Sequence, residues 1–245
     1  MTGPPGFRAV LGADYAGKSA VLRTIERESG WQVISYDDPY VRDYPVVRWL
    51  RSSAFFDAYR KVGGQYSAEL VFSLLTPVAL FLRDEAVRKA ARGPTVVDSY
   101  YYKLLAKGIV TGIADERARA AWRSLPSPDG VVFLDVDPEV AWARAGGPRQ
   151  LNPFEHYGAK PTWKGFAQFQ RDLRDAMLEE IAAVPSVVVD ANGPPAKVSA
   201  DVLAALSYVG PPTVGPPTVG PPATRDVSFA GTARRTVAVA ADHAG

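Results

Sequence analysis

The segment Gly12–Ser19, GADYAGKS, follows a short apolar run and fits the pattern G-x-x-x-x-G-K-[ST]. Glycines at these positions allow backbone N–H groups to converge on phosphate oxygens. A helix that begins near Lys18 would point its partial positive charge at the same anions. The pattern predicts that Lys18 reaches the β- and γ-phosphates of ATP and that the Ser19 hydroxyl ligates Mg²⁺. The predicted nucleotide-binding residues are Gly12, Ala13, Asp14, Tyr15, Ala16, Gly17, Lys18 and Ser19.

Short apolar runs alternate with longer segments of helical period along the rest of the chain. The predicted strands are Arg8–Leu11, Gln32–Ser35, Thr95–Val97, Val131–Leu134 and Val187–Val189. The predicted helices lie near Lys18–Glu28, Ser67–Ala91, Pro138–Ala145, Thr162–Ala183 and Pro195–Ser207. Strands that alternate with helices favour a parallel sheet with helices on both faces. The sequence therefore predicts an α/β three-layer sandwich built on a five-stranded parallel sheet.

Composition argues against several classes of protein. The formal net charge is only +2 and no long basic run is present, so a nucleic-acid-binding surface is not expected. The chain has no cysteine, which excludes disulfides and thiolate metal sites and is compatible with a reducing cytoplasm. The most apolar stretch, Leu70–Leu82, is shorter than the roughly 20 residues that span a bilayer. Because Pro77 interrupts it, we predict a buried helix with a bend. The N-terminal residues do not resemble a secretory signal, and we expect a cytoplasmic protein without membrane partners.

The composition changes abruptly after Tyr208, where the sequence VGPPT begins to repeat. Proline fixes φ and removes hydrogen-bond donors, so segment 209–224 is not expected to join a sheet. We predict a folded domain over 1–208, a Gly/Pro-rich linker over 209–225 and a tail over 226–245. The end of the tail, AVAADHAG, resembles the start of sugar-phosphate isomerases of the ribose-5-phosphate isomerase B type. The tail is therefore either the beginning of a truncated second domain or a disordered segment.

Acidic residues follow three of the predicted strands. Ligands of parallel α/β sheets bind outside the carboxyl ends of the strands, and Asp37, Asp38, Asp98 and Asp135 fall there. Asp98 or Asp38 could orient a phosphoryl acceptor, and Asp98 with Ser19 could hold Mg²⁺. Structural alternatives stay open, because Asp135 is also placed to be a helix cap or turn residue and Asp-Asp-Pro is a common turn composition.

Three consecutive tyrosines, Tyr100–Tyr102, would lie beside Asp98. Aromatic rings at such a place either stack on a nucleobase or sugar, or pack in the core and at its rim. The sequence leaves both interpretations open.

A glycine- and proline-rich segment, residues 143–165, carries the basic residues Arg144, Arg149, Lys160 and Lys164. A mobile basic loop after the fourth strand suggests a lid that closes over the phosphates and brings an arginine to the transition state. The alternative is a connecting loop with solvated surface charge, since basic side chains are usually exposed.

These motifs together resemble the thymidylate kinase family of P-loop nucleoside-monophosphate kinases. GADYAGKS is similar to the family's G-x-D-x-A-G-K-[ST] loop, YDDP to its Arg-Glu-Pro segment, and VVDSYYY to its Asp-Arg-Tyr segment. The resemblance implies a P-loop kinase-like fold in which Asp14 faces the sugar hydroxyl of the acceptor and Asp38 lies near metal and acceptor. Such kinases need a catalytic arginine in the P-loop or in the lid. Because Tyr15 takes the P-loop place, the resemblance assigns that role to Arg149 or Arg144.

The resemblance covers residues 7–206, with two departures that concern the acceptor. Ser99 stands where the family has the arginine that holds the acceptor's phosphate, and segment 73–80, SLLTPVAL, lacks a second expected arginine. Their absence removes charge-assisted bidentate bonds to a phosphate. The departures favour an acceptor other than thymidylate.

We therefore expect an ATP- and Mg²⁺-dependent phosphotransferase that transfers the γ-phosphate to a nucleotide, a nucleoside or a related sugar-containing small molecule. The alternatives are a catalytically silent nucleotide-binding module and a P-loop ATPase. The expected catalytic residues are Lys18, Asp98, Arg149, Arg144 and Asp38, with Ser19 and Asp98 at the metal. Beyond the small-molecule acceptor, the sequence is compatible with a homodimer.

Overall fold

The structure is a computed structural model that describes residues 6–37, 39–50, 53–210, 224–226 and 236–239. The strands are β1 Arg8–Gly12, β2 Gln32–Ile34, β3 Thr95–Asp98, β4 Gly130–Asp135, β5 Ser186–Asp190, β6 Thr224–Asp226 and β7 Thr236–Val239. The helices are α1 Lys18–Glu28, α2 Pro45–Leu50, α3 Ser53–Tyr59, α4 Ala68–Ser73, α5 Thr76–Ala90, α6 Tyr102–Val110, α7 Glu116–Arg123, α8 Pro138–Ala145, α9 Trp163–Glu180 and α10 Pro195–Tyr208. A 3₁₀ turn covers Pro148–Gln150.

Strands β1 to β5 form a parallel sheet in the order β2-β3-β1-β4-β5, which confirms the predicted five-stranded arrangement. The short strands β7 and β6 extend this sheet beyond β5, β7 in parallel and β6 antiparallel to β7. β1 lies between β3 and β4, and Val10 is paired with Asp98 across β1 and β3. The carboxyl ends of β1 and β3 therefore meet at one edge of the sheet, where ligands of such folds bind.

The central strands are buried on both faces. Every residue of β1 and β3 is buried, and β4 is buried up to Asp135. Continuous apolar runs such as Val131–Leu134 are what a parallel sheet covered by helices requires. The core of the protein consequently lies on both sides of β1, β3 and β4, and it holds the loops at their carboxyl ends in place.

The helix predicted over 67–91 is divided into α4 and α5 in the structure. Proline lacks an N–H group and is tolerated in the first turn of a helix. Pro77 accordingly lies in the first turn of α5, and the helix is interrupted just before that turn. The Ser67 hydroxyl begins α4 by accepting the Leu70 N–H at 3.1 Å.

Four further helices, α2, α3, α6 and α7, were not predicted from the sequence pattern. Each has nine residues or fewer. So few turns give a weak periodic signal, and such helices depend on tertiary packing rather than on their own propensity. Within the described ranges, none of the helices combines the length and apolar character that a membrane span requires.

The end of α10 lies at the predicted end of the first domain. Helix α10 ends at Tyr208, and the Nε of Arg8 donates a hydrogen bond of 2.6 Å to the Val209 carbonyl oxygen. Residues 211–223, with most of the VGPPT repeat, lie outside the described residues. The sequence predicts no sheet pairing for Thr224, but the structure pairs it with Ala238. Thr224 follows the last prolines and therefore retains a backbone donor.

Candidate functional site

The loop between β1 and α1 has the backbone shape that its glycines predict. Gly12 ends β1 so close to β4 that a Cβ atom would lie 2.7 Å from the Leu134 carbonyl oxygen. Gly17, with φ of 92°, is left-handed and directly precedes α1. Tyr15 also has a positive φ, 61°, which is uncommon for a residue other than glycine. The loop therefore turns sharply and ends at a helix N-terminus, an arrangement suited to phosphate.

Lys18 lies folded over this loop. Its Nζ donates to the carbonyl oxygens of Gly12 and Ala13, both at 3.0 Å, and the residue is buried. Burial lowers the pKa of Lys18 to about 7, and the nearby Lys103 ammonium acts in the same direction. A bound phosphate would supply the anion that favours the charged form.

Asp14 lies at the centre of a buried charge network. Its Oδ1 atom is 2.8 Å from Lys103 Nζ, and its Oδ2 atom is 3.0 Å from Lys107 Nζ. The Nε2 of Gln170 also donates to Oδ2, at 3.2 Å. Burial by itself raises the pKa of Asp14, but the two lysines outweigh burial and hold the pKa well below its ordinary value. Asp14 is therefore ionised and shared between two cations.

Lys103 and Lys107 were not identified as site residues from the sequence. They lie one turn apart on α6 and so share a helix face, and each is less than a tenth exposed. Burial lowers the pKa of Lys103, but Asp14 more than offsets this and raises it. Burial lowers the pKa of Lys107 below its ordinary value. The sequence feature that could have identified them is the spacing of the two lysines, i and i+4, in the segment that follows Asp98.

Asp98 ends β3 with a buried carboxylate. The hydroxyls of Ser35 and Ser99 each donate to it at 2.9 Å. Ser99 and Tyr100 have φ values of 57° and 44°, which turns the chain sharply out of β3 and brings Ser99 back onto Asp98. Left-handed residues other than glycine concentrate at functional sites. The structure thus presents a fixed carboxylate at the sheet edge.

One cavity of about 610 Å³ joins these groups. The phosphate loop, Asp98, Lys103 and Lys107 line its polar part. The apolar wall of the cavity is formed by Leu50, Phe55, Phe56, Leu75, Val78, Leu104 and Phe154. A cavity lined by both charged and apolar side chains fits a ligand that combines an anionic group with an apolar or aromatic part.

The two arginines expected in a lid lie in different places. Arg144 is in the last turn of α8 and lines the cavity. Its Nη1 donates to the Tyr15 carbonyl oxygen at 3.4 Å and its Nη2 to the Ala191 carbonyl oxygen at 2.9 Å. Arg149 is exposed in the 3₁₀ turn and does not line this cavity. The structure brings Arg144 to the phosphate loop and leaves Arg149 outside it.

Side-chain oxygen atoms that could ligate Mg²⁺ lie at the same edge. Ser19 Oγ lies 3.4 Å from Asp37 Oδ2, whereas Asp38 falls outside the described residues. Among the described residues, no group of three or more His, Asp or Glu side chains could hold a metal. Mg²⁺ that is bound together with phosphates needs one or two carboxylates. Ser19, Asp37 and Asp98 all line the cavity and therefore fit this ion.

Two alternatives that the sequence left open are decided by packing. Tyr100–Tyr102 are at most 2% exposed, and their rings contact Phe7 and Trp122. These tyrosines are core residues and do not stack on a ligand.

Asp135 accepts two hydrogen bonds from the guanidinium of Arg174, both 2.7 Å long. Its carboxylate therefore joins β4 to α9, and Asp137 instead of Asp135 is the N-cap residue of α8.

No protein-family profile matches the chain. The thymidylate kinase of Akkermansia muciniphila is 32% identical over 215 residues, which cover 83% of this chain and 92% of that protein. A probable thymidylate kinase of Archaeoglobus fulgidus is 28% identical over 199 residues, which cover 79% of this chain and 91% of that protein.

Solved structures of kinases share the fold. A thymidylate kinase from Candida albicans superposes with a TM-score of 0.58 at 17% identity, covering 84% of this chain and 93% of that chain. A deoxyadenosine kinase from M. mycoides gives a TM-score of 0.55 at 16% identity, covering 82% of this chain and 99% of that chain. The parallel sheet, the phosphate loop and the relatives that match along most of their length all indicate the same family of kinases. The chain belongs to the thymidylate kinase family and is a nucleotide kinase.

Proposed function

We propose that this kinase transfers the γ-phosphoryl group of ATP to a nucleotide or nucleoside whose base lies against the apolar wall of the cavity. One observation carries the proposal: Lys18, at the start of the helix that follows β1, and Asp98, at the end of the neighbouring strand β3, line the same cavity. A donor phosphate held at Lys18 and an acceptor oxygen held at Asp98 would be close together. Positioning of this kind supplies most of the catalysis in phosphoryl transfer.

The donor would bind at the phosphate loop. Backbone N–H groups of residues 12–19 and the N-terminus of α1 would contact the β- and γ-phosphates. Lys18 would exchange its two carbonyl partners for phosphate oxygens, and Arg144 would approach from α8. Ser19 and Asp98 would hold Mg²⁺, which when bound neutralises charge on the phosphates.

The acceptor would bind at the aromatic part of the cavity. The rings of Phe55 and Phe154 meet edge to face with centroids 5.5 Å apart, and Phe56 lines the cavity beside them. A nucleobase has the flat, partly apolar surface that packs against such rings, whereas a bare sugar lacks it. Among the described residues, Arg144 is the arginine that lines the cavity. The affinity for the acceptor would then depend more on contacts with its base than on bonds between arginine and phosphate. Nucleosides could therefore serve as acceptors as well as nucleotides.

In the transfer step, an acceptor oxygen attacks the γ-phosphorus and forms a new O–P bond. The bond to the β,γ-bridging oxygen breaks, and its electron pair leaves with ADP. Where the attacking group is a hydroxyl, Asp98 takes its proton; an ionised phosphate oxygen needs no such transfer. The hydrogen bonds from Ser35 and Ser99 keep the Asp98 carboxylate in place. That Asp38 takes the proton of the acceptor hydroxyl remains a prediction.

Incubation with γ-labelled ATP, Mg²⁺ and separate acceptors tests the proposal. The acceptor panel consists of nucleosides, nucleoside monophosphates and pentoses. We expect label transfer to at least one base-containing acceptor, and none to pentoses. Lys18→Ala should abolish the transfer, because the variant lacks the cation at the β- and γ-phosphates.

Two outcomes would replace the proposal with another function. Release of labelled phosphate at a rate independent of every acceptor would indicate an ATPase. Binding of Mg·ATP in calorimetry, with neither transfer nor release, would indicate a nucleotide-binding module that has lost catalysis.

A further inference from the structure

The phosphoryl group in transfer carries more negative charge than one lysine neutralises. Its charge is spread over three oxygens, and enzymes stabilise it with cations placed beforehand in a desolvated site. The cationic residues that line the cavity within the described part of the chain are Lys18, Lys103, Lys107 and Arg144. Of the last three, Lys103 contacts Asp14, the neighbour in sequence of Ala13, whose carbonyl oxygen accepts a hydrogen bond from Lys18.

The other two cations face different groups. The Arg144 guanidinium is bonded to main-chain carbonyl oxygens of Tyr15 and Ala191. Lys107 pairs with Asp14 Oδ2 and lies over the Phe154 ring, 5.5 Å from its centroid. Lys107 therefore faces an aromatic ring of the apolar wall as well as Asp14.

Lys103 lies where the phosphate loop and the end of β3 meet. It is in the first turn of α6, in the segment that follows Asp98. Its Nζ is 2.8 Å from Asp14 Oδ1, while Lys18 Nζ is 3.0 Å from the carbonyl oxygen of the preceding residue, Ala13. Two buried ammonium groups thus share one short stretch of loop. Like charges repel strongly in a desolvated site, so an anion bound between Lys18 and Lys103 would be stabilised by both.

We propose that Lys103 is a catalytic residue whose ammonium group binds the γ-phosphoryl group beside Lys18 as that group passes from ATP to the acceptor. The inference rests on the proposed function. Lys103 donates hydrogen bonds to the phosphoryl oxygens and exchanges no proton with them. Asp14 is the positioning residue, because its ion pair holds Lys103 at the phosphate loop.

The variants Lys103→Met and Lys107→Met form a matched pair that tests this role. Each variant removes one cation from Asp14, and the two lysines are similarly buried, at 8% and 7% exposure respectively. They differ in their surroundings, since Lys103 lies in the first turn of α6 and Lys107 lies over the Phe154 ring. We expect Lys103→Met to lower kcat about 100-fold or more with little change in the Kd of Mg·ATP. Lys107→Met should lower kcat less than about tenfold. Lys103→Arg should recover much of the lost kcat, because it restores a cation at that position.

A second pair covers the case in which Lys103→Met does not fold. The double variants Asp14→Asn/Lys103→Gln and Asp14→Asn/Lys107→Gln remove the carboxylate together with one lysine of α6, so each leaves Lys18 and a single lysine of α6. The first should again have the lower kcat. Equal kcat losses within either pair, or a loss confined to the KM for ATP, would overturn the role of Lys103. Absence of transfer by the wild-type chain would overturn the proposed function itself, and this inference with it.

Discussion

Gln170 and Asp14 are joined by two hydrogen bonds that run in opposite directions. The Asp14 N–H donates to Gln170 Oε1 at 3.0 Å, and Gln170 Nε2 donates to Asp14 Oδ2 at 3.2 Å. The same Nε2 also donates to the Glu155 carbonyl oxygen at 3.1 Å. One buried amide on α9 therefore holds the phosphate loop against the segment that precedes the helix.

Gln170→Leu should destabilise the protein by about 1–3 kcal/mol, because it leaves the buried Asp14 N–H and Glu155 carbonyl without their partner. Urea unfolding measures the change in the free energy of unfolding. The matched control is Gln168→Leu on the exposed face of α9, where the change should stay within about 0.5 kcal/mol. Equal destabilisation by the two variants would show that the link between Gln170 and Asp14 contributes nothing.

Asp98→Asn should lower kcat by about 10²–10⁴-fold, because the amide can neither take a proton nor help to hold Mg²⁺. Initial rates of label transfer at saturating ATP measure the loss. Ser35→Ala serves as the control, since it removes one hydrogen bond to Asp98 and keeps the negative charge. Its kcat should fall far less than that of Asp98→Asn. A kcat for Asp98→Asn close to that of the wild type would remove Asp98 from the chemistry.

Binding of Mg·ADP or Mg·ATP should take up a proton at about pH 8, above the phosphate's own second pKa of about 6. Burial and Lys103 lower the pKa of Lys18 to about 7 in the empty site, so Lys18 is largely neutral at that pH. Phosphate oxygens favour its charged form and raise the pKa on binding. Affinity should therefore decrease as the pH rises above about 7.

Calorimetry in buffers of different ionisation enthalpy measures this proton. The observed enthalpy of binding should change with the buffer in the direction of uptake, and the dependence should vanish in Lys18→Met. Absence of proton uptake by the wild type would show that Lys18 is already charged in the empty site.

The two arginines should give different defects. Arg144→Ala should raise the Kd of Mg·ATP about 10- to 150-fold, because a charge-assisted hydrogen bond is worth about 1.5–3 kcal/mol. Arg149 lies outside the cavity, so it could act only after the predicted lid, residues 143–165, closes over the bound phosphates. Arg149→Ala should then lower kcat and leave the Kd of Mg·ADP unchanged. Equilibrium titration and initial rates separate the two effects, and a weaker Kd for Mg·ADP in Arg149→Ala would contradict a role limited to the closed state.

Local sequence determined the parts of the site that lie within one short segment. The spacing of Gly12 and Gly17 predicts the loop that the structure shows, since a close approach to β4 and a left-handed residue before α1 both require glycine. The apolar runs predicted the five parallel strands, because a strand buried on both faces leaves a continuous apolar pattern. Asp98 could be placed at the sheet edge for the same reason.

Tertiary structure decided which side chains meet across distant segments. Asp14 contacts two lysines of α6 and Gln170 of α9, and no local pattern records a pairing between residues so far apart. The tyrosines after Asp98 could line a site or fill the core, and the packing around them selects the core. A pattern fixes the conformation and the buried face of one segment, whereas contacts between segments depend on how the whole sheet and its helices pack.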